Sequence, residues 1–268
     1  WQAKNKKSLR IHQALGTVII EEVVQNLAFQ PISLKEADKA KLMNRVDRKY
    51  LINSALLPEI LSQIQHNYFI LTIKKSAVLP YHTEYFDTEA RDMYLAHHNK
   101  RPLRYKIRVR SYIASQQTFL EVKVKTPKGR TNKMRIEGGM EAKNSTTIAT
   151  FIHENTPYST EVLKHTLTTD FSRISLVGKN YKERVTIDLN LSVSTPIGYT
   201  ENLPNLCIVE VKQDKVEQES PLVHFLRQKN IKTASFSKYA IGTALLVPSI
   251  KANSFKEIIR NINRITHA

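Results

Sequence analysis

The stretch Arg101–Ile136 reads RPLRYKIRVRSYIASQQTFLEVKVKTPKGRTNKMRI. In it Arg104, Lys106, Arg108 and Arg110 alternate with Tyr105, Ile107 and Val109. Glu121, Lys123 and Lys125 alternate with Leu120, Val122 and Val124, and Lys133 and Arg135 with Met134 and Ile136. A β-strand turns successive side chains to opposite faces, so each run has one apolar face and one charged face. The charged face is almost purely cationic: residues 91–135 hold 13 Lys and Arg against Asp92 and Glu121. Two like charges ~7 Å apart repel by roughly 2–3 kcal/mol at an effective dielectric of about 20. Like charges facing each other across strands are normally avoided. Such a face points to a polyanionic ligand that neutralises it, with a solvated basic surface as the bland alternative.

The rest of the chain agrees. Its 268 residues carry a net charge of +17 with 41% hydrophobic residues, which fits a globular chain with a sizeable core and an anionic partner. Nucleic acid, a phospholipid surface and polyphosphate all qualify on charge. Aromatic residues make up 8%, and none is read as alternating with the basic residues on their own face, which weakens single-strand stacking. The single cysteine, Cys207, sits in an apolar run, LCIVEV, and reads as core. It excludes an intrachain disulfide and a cysteine-type zinc site. No apolar stretch approaches the ~20 residues of a membrane helix, and no signal-peptide pattern is present.

The elements that must position the cations follow from the pattern. Residues 1–29 read as a basic arm (Lys4, Lys6, Lys7, Arg10) with a helix near Ile11–Leu27 that ends before Pro31. Ser33 and Glu36 form a capping box for a short helix through Leu42. Arg45, Asp47 and Lys49 share one face of a strand. Ser54 caps a helix to about His66, followed by strands at Tyr68–Lys75 and Tyr81–Thr88 and a helix at Ala90–His98. His82 reads as a hydrogen-bonded surface histidine, and the adjacent His97 and His98 point apart on a helix and do not chelate together. Lys128-Gly129-Arg130 turns into the third basic strand. Residues 145–165 read as helix, in one or two pieces broken at Pro157. Strands follow at Thr169–Val177 with Arg173, at Lys182–Leu191 with Arg184, Thr186 and Asp188 on one face, and at Leu206–Lys212 with Glu210 and Lys212 on one face. Helices are expected near Leu222–Lys229, residues 236–247 and Phe255–Ile265. Lys238 falls in the first turn of its helix, the wrong end for the dipole, which calls for an external reason. The fold class is α+β. A polar face repeated on about eight hairpin-linked strands fits an antiparallel β-barrel tunnel with a basic interior and helices packed outside.

The motifs LMNRVDRKYLI, TEYFDT, RYKIRVRSY, FLEVKVKTPKGRTNKMRI, FSRISL, ERVTIDLNL, IVEVK and FSKYAIG occur in the order expected of the VTC catalytic domain. The chain resembles that family, named for the vacuolar transporter chaperone and part of the triphosphate tunnel metalloenzyme superfamily, over roughly Gln30–Val247, with residues 248–268 a helix packed on the tunnel. The resemblance implies a metal-dependent polyphosphate polymerase that transfers the γ-phosphoryl of ATP to a growing chain. By position, Lys49 resembles the family's first-strand phosphate lysine, Arg108 and Arg110 its paired arginines, and Lys123 another phosphate lysine. Arg173 and Arg184 resemble the later arginines, Glu210 the metal-binding glutamate and Lys238 the lysine of the closing helix. Arg45, Lys106, Lys125, Lys133, Arg135 and Lys212 are expected to contact substrate. Where other tunnel enzymes open with Glu-x-Glu-x-Lys, this chain has Arg45, Asp47 and Lys49, which favours the VTC branch.

Phosphoryl transfer needs positioning and charge neutralisation more than covalent help. Arginine offers phosphate a bidentate fork and lysine a point charge. A hard cation bridging phosphates, Mn²⁺ or Mg²⁺, needs only one or two carboxylates; Glu210 is the first choice, with Glu121 and Asp188 weaker candidates. Nothing in the sequence reads adenine, so nucleotide selectivity is expected to be loose. The expected partners are ATP and polyphosphate, with no specific nucleic acid; any membrane link requires a partner protein, and a cytoplasmic location is expected. A hydrolase of tripolyphosphate or nucleoside triphosphates on the same scaffold, and a non-catalytic polyphosphate binder, are the alternatives.

Overall fold

The computed structural model describes residues 19–40, 45–140, 145–214 and 220–267. The basic arm at Lys4–Arg10, most of the first helix and Leu42 lie outside them. Helix α1 covers residues 19–25. Strand β1 (Gln30–Ile32) and α2 (Leu34–Ala37) follow, then β2 (Arg45–Asn53), α3 (Leu57–Ile64), β3 (Tyr68–Leu71), β4 (Leu79–Asp87) and α4 (Asp92–His98). Next come β5 (Arg104–Tyr112), β6 (Gln117–Lys125), β7 (Thr131–Glu137), α5 (Thr146–Asn155), β8 (Lys164–Gly178) and β9 (Glu183–Ser194). The chain ends with β10 (Thr200–Leu203), β11 (Leu206–Asp214), α6 (Pro221–Gln228), α7 (Lys238–Leu246) and α8 (Lys256–Thr266). Among the described residues no helix is long and apolar enough to cross a membrane.

One 11-stranded sheet carries the fold, with eight strands on its main path in the order β2-β11-β9-β8-β4-β5-β6-β7. All seven pairs along that path are antiparallel. The short β1 adds a parallel pair with β3. The expected closed barrel is corrected here. Among the described residues no ladder joins β2 to β7, so hydrogen bonds leave the sheet open. It is nevertheless strongly curled: Lys49 on β2 and Lys106 on β5, five strands apart along the path, reach the consecutive residues Phe236 and Ser237. The result is a deep trough.

Alternation sets the two faces. On the convex side Tyr50, Ile52, Ile174, Leu176, Val185, Ile187, Val209, Val211 and the buried Cys207 pack under α3 and α6. Ile107, Val109, Leu120 and Val122 pack under α5. The concave side is only half polar, a second correction. At one end Leu51, Leu191, Val193 and Ile208 meet Phe236, Tyr239 and Ile241 of the α7 region and Ile262 of α8 in an apolar plug. The register bulge between Asp170 and Ser172 on β8 lies where β9 passes Asn190, at φ 55°, from the convex cluster (Leu189) to the plug (Leu191).

Local expectations hold with shifted edges. The capping box at Ser33 and Glu36 is present, but its helix ends at Ala37. Asn53, not Ser54, caps the next turn, accepting from the Ala55 N–H. The strand at Tyr68 stops at Leu71 because Lys74 and Lys75 take positive φ in a turn. Helix α5 ends at Asn155, and no second piece follows Pro157, which lacks an N–H to continue it. The β-branched run after Lys164 joins β8 instead.

Candidate active site

The expected cations converge on the polar half of the concave face. Arg108 and Arg110 from β5 are buried, with only 7% and 6% exposure. Arg108 donates to Glu121 through Nε at 2.7 Å and Nη2 at 2.6 Å, and Lys133 from β7 reaches the other oxygen of that fully buried carboxylate. Burial opposes ionisation of Glu121, but Arg108, Arg110 and Lys133 outweigh it and hold its carboxyl down at about 2. Arg110 donates through Nε to Thr83 at 3.1 Å. On β8, Arg173 makes a two-pronged bond to Asp188 of β9, at 2.5 and 2.9 Å. Lys238 closes on the same carboxylate, which accounts for a cation in the first turn of α7.

Lys49 donates to the Phe236 carbonyl at 2.8 Å and Lys106 to Ser237 Oγ at 3.0 Å, just ahead of that helix. Burial, with the repulsion of Lys49, Arg108 and Lys238, presses Lys106 down to about 8 despite the opposing pull of Tyr85. Burial also lowers Lys238 to about 8, against the pull of Asp188. Lys123 on β6 is held well below the usual lysine range, first by Arg108, then by burial, Lys106, Arg110 and, across the trough, Lys212. Arg45 pairs with Asp47 at 3.0 Å and Arg184 with Asp38 at 3.8 Å; both sit toward the mouth formed by the start of β2 and β9. Lys125 and Arg135 share the concave face by register, as partners of Arg104 and Glu121. All the sequence-predicted site residues therefore line one face.

The three candidate metal ligands separate on their surroundings. Glu121 and Asp188 have both oxygens engaged by neighbouring cations. Glu210 is tied more loosely, to Lys212 at 3.9 Å. Burial works against its charge, yet Lys212, Lys49 and Arg173 keep its carboxyl ionised down to about 2. Among the described residues no cluster of three or more His, Cys, Asp or Glu could hold a metal. This donor set fits a hard cation held by Glu210 together with a ligand's phosphate oxygens, and no all-protein cage.

Sequence reasoning missed several members. The aromatic residues do share the basic face: Phe171 is two residues from Arg173, Tyr112 two from Arg110 and Phe119 two from Glu121. Arg110, Arg173 and Lys238 lie over Phe171 at 5.8, 5.3 and 4.2 Å from its ring centre, and Arg110 and Arg173 also over Tyr81 at 5.8 and 5.0 Å. The spacing held that signal. It did not hold Asp87, a fully buried carboxylate that accepts from the Met93 and Tyr94 N–H groups of α4 and from the hydroxyl of Tyr239 on α7, next to Lys238. Burial pushes the Tyr85 phenol up, but Arg108, Arg110 and Lys106 win and leave it below its ordinary value. His82 bonds Asp170 at 2.7 Å outside the trough, as expected. Burial and the cations press His97 down to about 3.

Among solved structures, the chain is similar to a candidate adenylate cyclase from Vibrio parahaemolyticus, at 12% identity and a TM-score of 0.47 over 76% of this chain and 100% of that one. It is similar to one from Bacillus halodurans, at 16% and 0.46 over 72% and 94%. A third, from Hippeastrum and described as having a dominant triphosphatase activity, matches at 15% and 0.47 over 77% and 98%. Likeness at this level says nothing of this chain's own reaction. No curated protein matches the chain. Residues 44–247 match the family model of the VTC domain, a span that runs from the start of β2 through α7 and takes in all eight strands of the trough and Lys238. The chain belongs to the VTC domain family.

Proposed function

We propose that this protein is a metal-dependent phosphotransferase that extends polyphosphate from ATP. The observation that carries this reading is the convergence of crowded cations from six strands and α7, Arg108 and Arg110 among them buried, on one face that also holds the loosely paired carboxylate Glu210. Arg108 and Arg110 would fork the triphosphate, fixed by Glu121 and Thr83. Lys49, Lys123, Lys212 and Lys238 would neutralise charge along the phosphates, with Arg173 and Arg184 beside them. Glu210 would hold Mn²⁺ or Mg²⁺ against the phosphate oxygens, and the ion supplies charge neutralisation where the transferred group builds it. A terminal oxygen of the acceptor chain attacks the γ-phosphorus, the bond to the β-bridging oxygen breaks, and ADP leaves. That nucleophile is already anionic, so no strong general base is needed. The cations would lose their mutual repulsion when the phosphates enter, which ties binding to charge relief.

The test is incubation of purified protein with ATP and Mn²⁺, with and without a short polyphosphate primer, resolved on a gel stained for polyphosphate. Glu210→Gln and Arg108→Ala run beside it. Long chains from the unaltered protein alone are expected. Phosphate release without chains would replace the polymerase with a hydrolase on the same face. Binding without turnover would leave a polyphosphate-binding module.

A further inference from the structure

Four aromatic rings cross the concave face in one row. Phe171 on β8 stacks on Tyr81 of β4, centroids 5.3 Å apart and planes 15° from parallel. Tyr112 on β5 meets Tyr81 edge-on at 5.1 Å, and Phe119 on β6 meets Tyr112 edge-on at 5.9 Å. The row ends at β7, where the Arg135 guanidinium lies 4.5 Å from the centre of the Phe119 ring. Its inner end is occupied by cations of the proposed phosphate site, since Arg110, Arg173 and Lys238 rest on Phe171. The outer end is different. Tyr112 and Phe119 are half-buried and Arg135 is exposed, so a flat cation backed by a ring faces open space. Phe119 is the direct cross-strand partner of Arg110, which places this platform one residue pair from the phosphate cations.

The opposite ends of the same strands lack such a platform. There Arg104 pairs with Lys125 and Lys106 with Lys123. Tyr105 turns to the convex side and packs edge-on against Tyr158 at 6.0 Å, while Tyr85, close to Lys106, is buried and stacked on Tyr239 at 5.2 Å. The trough thus has one end that presents cations while its rings are buried, suited to a chain of phosphates, and one end with a half-exposed aromatic platform.

We propose that Phe119 with its stacked Arg135, flanked by Tyr112, is the platform for the nucleobase of a nucleoside triphosphate, while the acceptor chain lies toward Arg104 and Lys125. This rests on the reading that the concave face takes a triphosphate. Stacking uses the π-face that every base has. The platform therefore adds affinity without choosing adenine over guanine, and favours purines over the smaller pyrimidines.

Calorimetric titration without divalent metal, so that no transfer occurs, tests it with ATP, GTP, CTP and tripolyphosphate. The unaltered protein is expected to bind ATP and GTP about tenfold more tightly than tripolyphosphate, the order expected of one stacked base, with CTP between. Phe119→Leu, and Tyr112→Leu at its flank, are expected to bring ATP to the level of tripolyphosphate and leave tripolyphosphate itself unchanged. ATP no tighter than tripolyphosphate, or equal losses for both ligands in the variants, overturns the platform and leaves the phosphate site standing. A selective loss of ATP in a protein that makes no chains on the gel keeps the platform and rejects the polymerase. Binding of neither ligand overturns both.

Discussion

Lys106 and Lys238 are both pressed down to about 8, by burial first. In the unfolded chain a lysine keeps its proton to about 10.4. Between those values the unfolded state binds more protons, so the stability of the ligand-free protein should rise as pH climbs from about 8 toward 10. Tripolyphosphate affinity should move the other way, falling across the same window as the two ammonium groups discharge. Thermal melts and calorimetry over pH 7–10 check both signs; parallel trends would contradict the assignment of these lysines to the phosphate site. Glu121 makes a separate prediction. It is fully buried between Arg108 and Lys133, so Glu121→Ala strands a buried arginine and should cost about 3–5 kcal/mol in chemical denaturation. The cationic residues were legible in sequence because strand alternation assigns a face to each one. Their pairings were not: that Asp188 belongs to Arg173 and Lys238, while Glu210 remains loosely tied, depends on which strands become neighbours.

Helix α7 decides how the trough is finished. Its first turn brings Lys238 to Asp188, the two residues before it accept from Lys49 and Lys106, and its Tyr239 is held by Asp87. The helix also sits very close to the sheet. A Cβ on Gly242 would meet Leu167 at 2.9 Å and Val193 at 3.1 Å. Alanine normally gains up to about 1 kcal/mol over glycine inside a helix. Here the contact should reverse the sign, and Gly242→Ala should destabilise by about 1–3 kcal/mol through overpacking. It should also weaken tripolyphosphate binding by displacing Lys238. A stabilised variant in denaturant titration would refute the close seat. The strands of this chain were readable from period-two patterning, and their edges moved where local chemistry intervened, as at Lys74, Lys75 and Pro157. The half-apolar interior was not readable. Leu51 and Ile208 alternate in register with Lys49 and Glu210, and only the arrival of α7 shows that this end of the face is covered.

At the scale of the molecule, the fold concentrates part of its +17 charge on one curled face, and under the proposed function a polyanion would relieve the mutual repulsion. The curl, not hydrogen-bonded closure, brings the cations together. An eight-strand pattern in a sequence cannot distinguish the two, because closure is decided by the ladders at β2 and β7. Lys123 tests the claim most directly, since its ammonium is repelled by Arg108, Lys106, Arg110 and Lys212. The measurement is the melting temperature and the tripolyphosphate affinity of Lys123→Met beside the unaltered protein. The account predicts a higher melting temperature without ligand and affinity weaker by about tenfold, the size of one modest charge interaction lost. A lower melting temperature with unchanged affinity would contradict it, and would make Lys123 a structural cation on a surface that has no anion to receive.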